Sequence, residues 1–276
     1  MEDKIDLRCP VALSIAGSDS SAGAGIQADI KSCAALGGYM ATVITALTAQ
    51  NGTGVEMIDI VSKEMVAAQI HAVMSDMRVE ALKTGMIPNK ECVNEVVKAI
   101  TKYNIKNVVV DPVMVSTSGT RLIDKEAITT IIEQLFPKAL IVTPNIIECS
   151  YITGYKAEEA RFFDSAAARF SEFGCKYLLL KGGHLESDHI VDVLYDFENG
   201  KTSSYEYTRV NTPNTHGTGC SLSSAIAAAL SKGHTPQQSV ALAEDYIHKA
   251  IEEAKGLVYG QGHGPISHFF QLSSKV

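Results

Sequence analysis

Asn107-Val108-Val109-Val110-Asp111-Pro112 is the stretch on which the fold turns. Its apolar run is continuous rather than alternating, too short for a helix and closed by a proline, as a strand covered on both faces reads. Such strands belong to parallel sheets, and parallel strands need crossovers, usually helices. The flanks supply them: Asn89–Tyr103 and Asp124–Phe136 have helical apolar spacing and open on Asn or Asp, whose side chains cap free amides.

Outward from there the pattern repeats. Val11–Ala16, Ala41–Leu47, Ala139–Thr143 and Tyr177–Lys181 read as buried strands, and Ile26–Leu36, Ser62–Met77 and Ala157–Phe173 as helices, a βαβ rhythm. Ile190–Phe197 and Ser203–Val210, joined around Asn199-Gly200, predict an antiparallel hairpin at one edge. The last long helix opens on Thr235-Pro236 and ends near Lys255-Gly256. No linker or repeat divides the 276 residues, 46% of them hydrophobic, so one α/β domain over 1–276 is expected. A net charge of −7 argues against a nucleic-acid surface. The start lacks a signal-peptide pattern, and no run approaches the ~18 apolar residues of a membrane span. The six cysteines are scattered without zinc spacing. They read as reduced thiols, and a cytoplasmic location is expected.

Thr215-His216-Gly217-Thr218-Gly219-Cys220 runs directly into a helical segment, Ser221 to Leu230. Glycines at a helix N-terminus let unpaired amides converge, which suits an anion and above all phosphate. Cys220 at that positive end is expected to have a lowered thiol pKa. The alternative is a turn before a buried helix, with Cys220 in the core. Strand ends carry further candidates. Asp111 follows Val110; Thr143-Pro144-Asn145 leads to Glu148, on one face of a new helix; Lys181-Gly182-Gly183-His184 ends another strand; and Gln50 and Asn51 offer amides to a heterocycle edge. Singly, Asp111 reads equally as a turn acid, Glu148 as a capping partner and Lys181 as a surface lysine. Together they are the parts of phosphoryl transfer: two carboxylates for Mg²⁺, a lysine and an anion-binding helix end. The Walker sequence is absent. Gly23-x-Gly25-x-x-Ala28 matches the dinucleotide fingerprint formally, but Gly23 lies six residues beyond Gly17 and no acid falls between Asp29 and Glu56.

These motifs, Gly17-Ser18-Asp19 through Asp29, Thr45 to Asn51, Lys83-Thr84-Gly85-Met86, Asp111 to Met114, Asn145 to Glu148 and Gly217 to Cys220, resemble the hydroxymethylpyrimidine/phosphomethylpyrimidine kinases of thiamine biosynthesis, in the ribokinase-like superfamily. The resemblance spans nearly the whole chain in order. It implies a three-layer α/β/α sandwich with a mostly parallel central sheet, a homodimer, and phosphorylation of 4-amino-5-hydroxymethyl-2-methylpyrimidine by ATP and Mg²⁺, first to the monophosphate and then to the diphosphate. It admits a monovalent cation. By position, Gly17, Asp29, Gln50, Met86 and Val113 resemble the pyrimidine pocket; Asn145, Lys181 and Thr218 the ATP residues; Asp111 and Glu148 the metal residues; and Gly217, Thr218, Gly219 and Cys220 the anion hole and catalytic group. Ribokinases carry Asp where this chain has Cys220, which leaves base or positioning group open. Thr48 departs from the apolar residue ordinary in the family. A pyridoxal kinase on the same fold, an NAD oxidoreductase and an inactive ligand-binding protein are the competing readings.

Overall fold

A computed structural model describes residues 9–115, 122–159, 161–183 and 188–272; His184 lies outside them. Its nine strands form one sheet in the order β3-β2-β1-β4-β5-β6-β7-β8-β9. The six central strands run parallel: β1 (Val11–Asp19), β2 (Tyr39–Asn51), β4 (Val79–Thr84), β5 (Val108–Val110), β6 (Ile141–Val142) and β7 (Tyr177–Leu180). The expected hairpin, β8 (His189–Asp196) and β9 (Lys201–Thr208), pairs antiparallel at the β7 edge. At the other edge β3 (Gly54–Ile60) folds back antiparallel on β2.

Neither β3 nor β4 was predicted. In β3 no position is buried and four of seven are exposed, as expected of an edge strand that buries little. In β4 the run is interrupted by Lys83, which is nevertheless fully buried because a partner charge awaits it. Capping drives the helix starts as expected. Ser62, Asn89 and Asp124 accept from the third amide of α2 (Lys63–Asp76), α3 (Lys90–Lys102) and α4 (Lys125–Thr130), and capping boxes open α5 (Ile146–Thr153) and α8 (Pro236–Glu253). The helix expected from Ala157 begins only at Phe162, as α6 (Phe162–Glu172).

α2 to α6 pack one sheet face through a core of Val66, Ile70, Val93, Val96, Phe136, Phe162 and Phe170. α1 (Gly25–Ala35), α7 (Thr218–Ser231) and α8 cover the other. This is the α/β/α sandwich. α7 is buried along its whole length from Ser221 to Ser231, and its alanines and serines are small enough to let it lie against the sheet and α1 and α8 at once. Its first turn, from Gly217 to Cys220, stays half-buried and is anchored by the buried body of the helix.

Candidate active site

Ligands of open α/β sheets bind beyond the carboxyl ends of strands where the order reverses. Here that point falls between β1 and β4. A Cβ on Gly17 would meet Met86 Sδ at 3.1 Å, so these two residues adjoin. Met86 is buried, and its carbonyl accepts from Thr45 Oγ1 at 2.7 Å. At the end of β2 the half-buried Gln50 amide lies 3.1 Å from Thr48 Oγ1 and 3.4 Å from His216 Nε2. Val113, half-buried, follows Asp111 beyond β5.

Asp29 does not fit the pocket role expected of it. Its fully buried carboxylate accepts from Lys83 Nζ at 2.9 and 3.0 Å, from Ser224 Oγ at 2.6 Å and from Ser14 Oγ. These four contacts fill the lone-pair sites of a carboxylate and leave none for a ring. Asp29 instead ties α1 to β1, β4 and α7 beneath the site. Burial alone would pull the Lys83 ammonium down, but Asp29, Cys220 and Asp111 together hold it above its ordinary range. Removing one partner of such a buried pair costs about 3–5 kcal/mol.

α7 starts on Gly217, in the left-handed region at φ 78°, with no side-chain cap. A Cβ there would strike Gly23 O at 1.9 Å, so the turn can form only with glycine. A Cβ on Gly219 would stand 3.2 Å from Lys181 Nζ and 3.8 Å from Asp111 Oδ2. The anion-binding turn thus faces the lysine and the acid from two strand ends. Lys181 Nζ donates to Asp111 Oδ1 at 3.2 Å, and Thr143 and Ser223 hydroxyls donate to Asp111 at 3.4 and 3.3 Å. Burial works against the Lys181 charge; Asp111 and Glu148 outweigh it and raise its pKa. Thr218 donates both its hydroxyl, at 2.7 Å, and its amide, at 3.2 Å, back to Thr215 O, which closes the turn.

Glu148 is the capping partner and more. It accepts from the Asn145 amide at 2.9 Å while Asn145 Oδ1 caps Glu148 N–H at 2.9 Å. Burial pushes its carboxyl up to about 8, against the pull of Lys181 and with a further push from Asp111. Asp111 lies within electrostatic reach of Glu148, and both carry hard oxygen donors of the type Mg²⁺ takes.

Cys220 reverses the expectation of a lowered pKa. Burial first, then Asp29 and Asp111, push the thiol up to about 11, although Lys83 and the Gly25 amide pull the other way. At neutral pH it is a thiol. The positive helix end is outweighed by two carboxylates and lost solvent.

Sequence reasoning gave no role to a second cluster. Asp19, at the end of β1, accepts from His216 Nε2 at 2.9 Å, from Ser21 N–H and Oγ–H, both at 2.8 Å, and from the Gly23 and Ala24 amides at 3.1 and 2.8 Å. Burial would raise its pKa, but these bonds, His216 foremost, hold it at about 2. The His216 ring occupies the space a Gly23 Cβ would need, at 2.3 Å. His216 N–H in turn donates to Gly264 O at 3.0 Å, and His263 N–H to Gly52 O at 2.9 Å, so the segment after α8 clasps both the β2–β3 turn and the phosphate turn. The legible signal was the glycines at 23, 52, 262 and 264, which mark close backbone approach.

Comparison with known proteins agrees with this geometry. The phosphomethylpyrimidine kinase family matches residues 19–267. The chain is 46% identical to a hydroxymethylpyrimidine/phosphomethylpyrimidine kinase of Rhizobium meliloti over 262 residues, 94% of this chain and 97% of that one. Among solved structures it is similar to the phosphomethylpyrimidine kinase of Clostridium difficile 630, at 41% identity and a TM-score of 0.77 over 87% of this chain and 99% of that one. It is also similar to an ADP complex of Bacillus subtilis pyridoxal kinase, at 33% identity and a TM-score of 0.85 over 95% and 98%. Matched over nearly its whole length by that family and by relatives of this identity, the chain belongs to the phosphomethylpyrimidine kinase family.

Proposed function

We propose that this chain transfers the γ-phosphoryl group of ATP to the hydroxyl of 4-amino-5-hydroxymethyl-2-methylpyrimidine, and then a second one to the resulting monophosphate, yielding the diphosphate. The observation that carries this reading is the α7 turn, open only to glycine at 217, set against Lys181 and Asp111 beside the Gly17–Met86 contact. In each step the acceptor oxygen forms a bond to the γ-phosphorus, the bond to the bridging oxygen breaks, ADP leaves and the acceptor's proton is released. The Gly217, Gly219 and Cys220 amides meet charge on the transferring group, the Thr218 amide being taken by Thr215 O, and Lys181 meets charge on the phosphates. Asn145 and Thr218 complete the nucleotide side. Mg²⁺, held by Asp111 and Glu148, would neutralise phosphate charge and orient the chain of phosphates; a monovalent cation could share that acidic corner.

The protonated thiol favours positioning for Cys220, since loose phosphoryl-transfer transition states ask little of a base. Gln50, Met86, Val113 and Gly17 hold the ring. We further propose a single domain, supported by the one continuous sheet, a cytoplasmic location, supported by six free cysteines, and a homodimer. Leu47 and Met57, each at least half exposed, lie on one face of the β2–β3 hairpin, as expected of a surface covered by a second copy. Pyridoxal is the rival substrate, on the likeness to the B. subtilis enzyme. ATP consumption measured across hydroxymethylpyrimidine, its monophosphate, pyridoxal and ribose decides: the first two should give the highest kcat/KM, and preference for pyridoxal or arrest at the monophosphate overturns the reading.

A further inference from the structure

The atoms around Gln50 can be supplied with protons in only one way. Thr48 Oγ1 lies 2.9 Å from Ser18 O and 3.1 Å from the nearer end of the Gln50 amide. A hydroxyl has one proton and a carbonyl has none, so that proton goes to Ser18, and Thr48 can only accept from Gln50. The other end of the amide lies 3.4 Å from His216 Nε2. The same Nε2 is 2.9 Å from Asp19 Oδ2, which already takes amide hydrogens from Gly23 and Ala24. Asp19 is ionised at neutral pH and has nothing to donate. His216 Nε2 therefore carries a proton, and the atom of Gln50 that faces it must be an acceptor. With the amide nitrogen toward His216, two donors would oppose each other, and two acceptors would oppose each other at Thr48. An amide turned over donates its N–H to Thr48 Oγ1 and lays its oxygen beside the Nε2–H edge of His216, whose one proton goes to Asp19, so neither clash remains.

We propose that Thr48 and His216 lock the Gln50 amide in that orientation, and so make it specific for a heterocycle edge with an exocyclic amino group beside a ring nitrogen. The inference rests on the reading of Gln50 as a ring ligand. His216 immediately precedes Gly217, so the locked oxygen lies on the phosphate side of the amide and the nitrogen on the far side. In hydroxymethylpyrimidine the 4-amino group neighbours the carbon that bears the reactive hydroxymethyl. With that arm directed at the α7 turn, the amino group donates to the Gln50 oxygen and ring N3 accepts from the Gln50 nitrogen. Pyridoxal has an aldehyde in the place of the amino group. Its oxygen would face the Gln50 oxygen, acceptor to acceptor. Thr48 and His216 are positioning residues in this scheme: neither touches the ring.

The test is steady-state kinetics on full-length Thr48→Val, Thr48→Ser and Gln50→Leu proteins with hydroxymethylpyrimidine and pyridoxal. Losing the hydroxyl frees the amide to turn. Thr48→Val should raise KM for hydroxymethylpyrimidine about 10-fold, the effect of one misdirected hydrogen bond, and narrow the preference over pyridoxal. The KM for ATP and kcat should stay near wild type, and Thr48→Ser should restore both values. Thr48→Ala makes the same deletion if the valine variant fails to fold. Wild-type KM and selectivity in the hydroxyl-deleted variant, alongside an impaired Gln50→Leu, overturn the lock but leave Gln50 as a ligand. A serine variant as impaired as valine overturns it too, by assigning the effect to the methyl group. A Gln50→Leu enzyme with wild-type KM removes the ring-ligand reading itself, and the lock with it.

Discussion

Cys220 was the residue most visible in the sequence and the one whose chemistry was misread there. A helix N-terminus lowers a thiol pKa when solvent and cations share the site. Here partial burial acts first and Asp29 and Asp111 add to it, so the sign reverses although the residue is only half-buried. Iodoacetamide should therefore label Cys220 slowly at pH 7, behind the exposed Cys9, with a rate that climbs only as pH approaches 11. Fast labelling at pH 7 would show an ionised thiol. Cys220→Ala should cost less than the ~10²-fold in kcat that marks removal of a general base, with ATP affinity kept. A larger loss, partly recovered in Cys220→Asp, would return the base role to this position. Asp29 teaches the same lesson. Its place after the glycines was legible, but nothing in a single chain of letters says that Lys83 lies opposite it, since the pairing is made by β4 crossing beneath α1.

At the level of elements, α7 does most to build the site, and its two glycines separate fold from function. Gly217→Ala would force a Cβ onto Gly23 O in a left-handed backbone, so it should lower the melting temperature as well as kcat. Gly219→Ala meets only the end of the Lys181 side chain at 3.2 Å. It should melt like wild type yet lose about 10² in kcat, the scale of a misplaced catalytic group, since alanine keeps the amide but crowds the Lys181 ammonium. Circular dichroism melts beside initial rates check both; equal melting losses would refute the distinction. The buried parallel strands and capped helices were legible because continuous apolar runs and Asn, Asp or Ser starts are local signals. β3 and β4 were not, since an edge strand carries little apolar pattern and a buried lysine looks like a surface one until its partner is seen. Glu148 was legible both as capping partner and as candidate acid, and the structure shows it closing the capping box of α5.

For the whole molecule, acid stability follows from the way the last segment is attached. His268 Nε2 meets Ser221 Oγ at 2.9 Å in the first turn of α7, and Tyr246 donates to the His268 carbonyl at 3.0 Å. Burial foremost, with Lys31 nearby, lowers the imidazole from 6.5 to about 4. Above pH 6.5 it is neutral folded or unfolded and has no effect. As pH falls from 6.5 toward 4 only the unfolded chain takes up the proton, so about 3 kcal/mol of stability is lost across that window. Urea midpoints should drop over that range, and less steeply in His268→Gln; parallel profiles would show another group responsible. The same attachment has a consequence for how the protein is made. Asp19 and His216 are 197 residues apart, and His216 is held in turn by Gly264, while Gly52 is held by His263. A ribosome delivers these clasping residues only after α8. A nascent chain that has just released α8 already possesses strands β1–β9 and helices α1–α8, but neither the wall at Gln50 nor the turn at Gly217 has yet been fastened, so the two are held together only after residues 263 and 264 have emerged and docked.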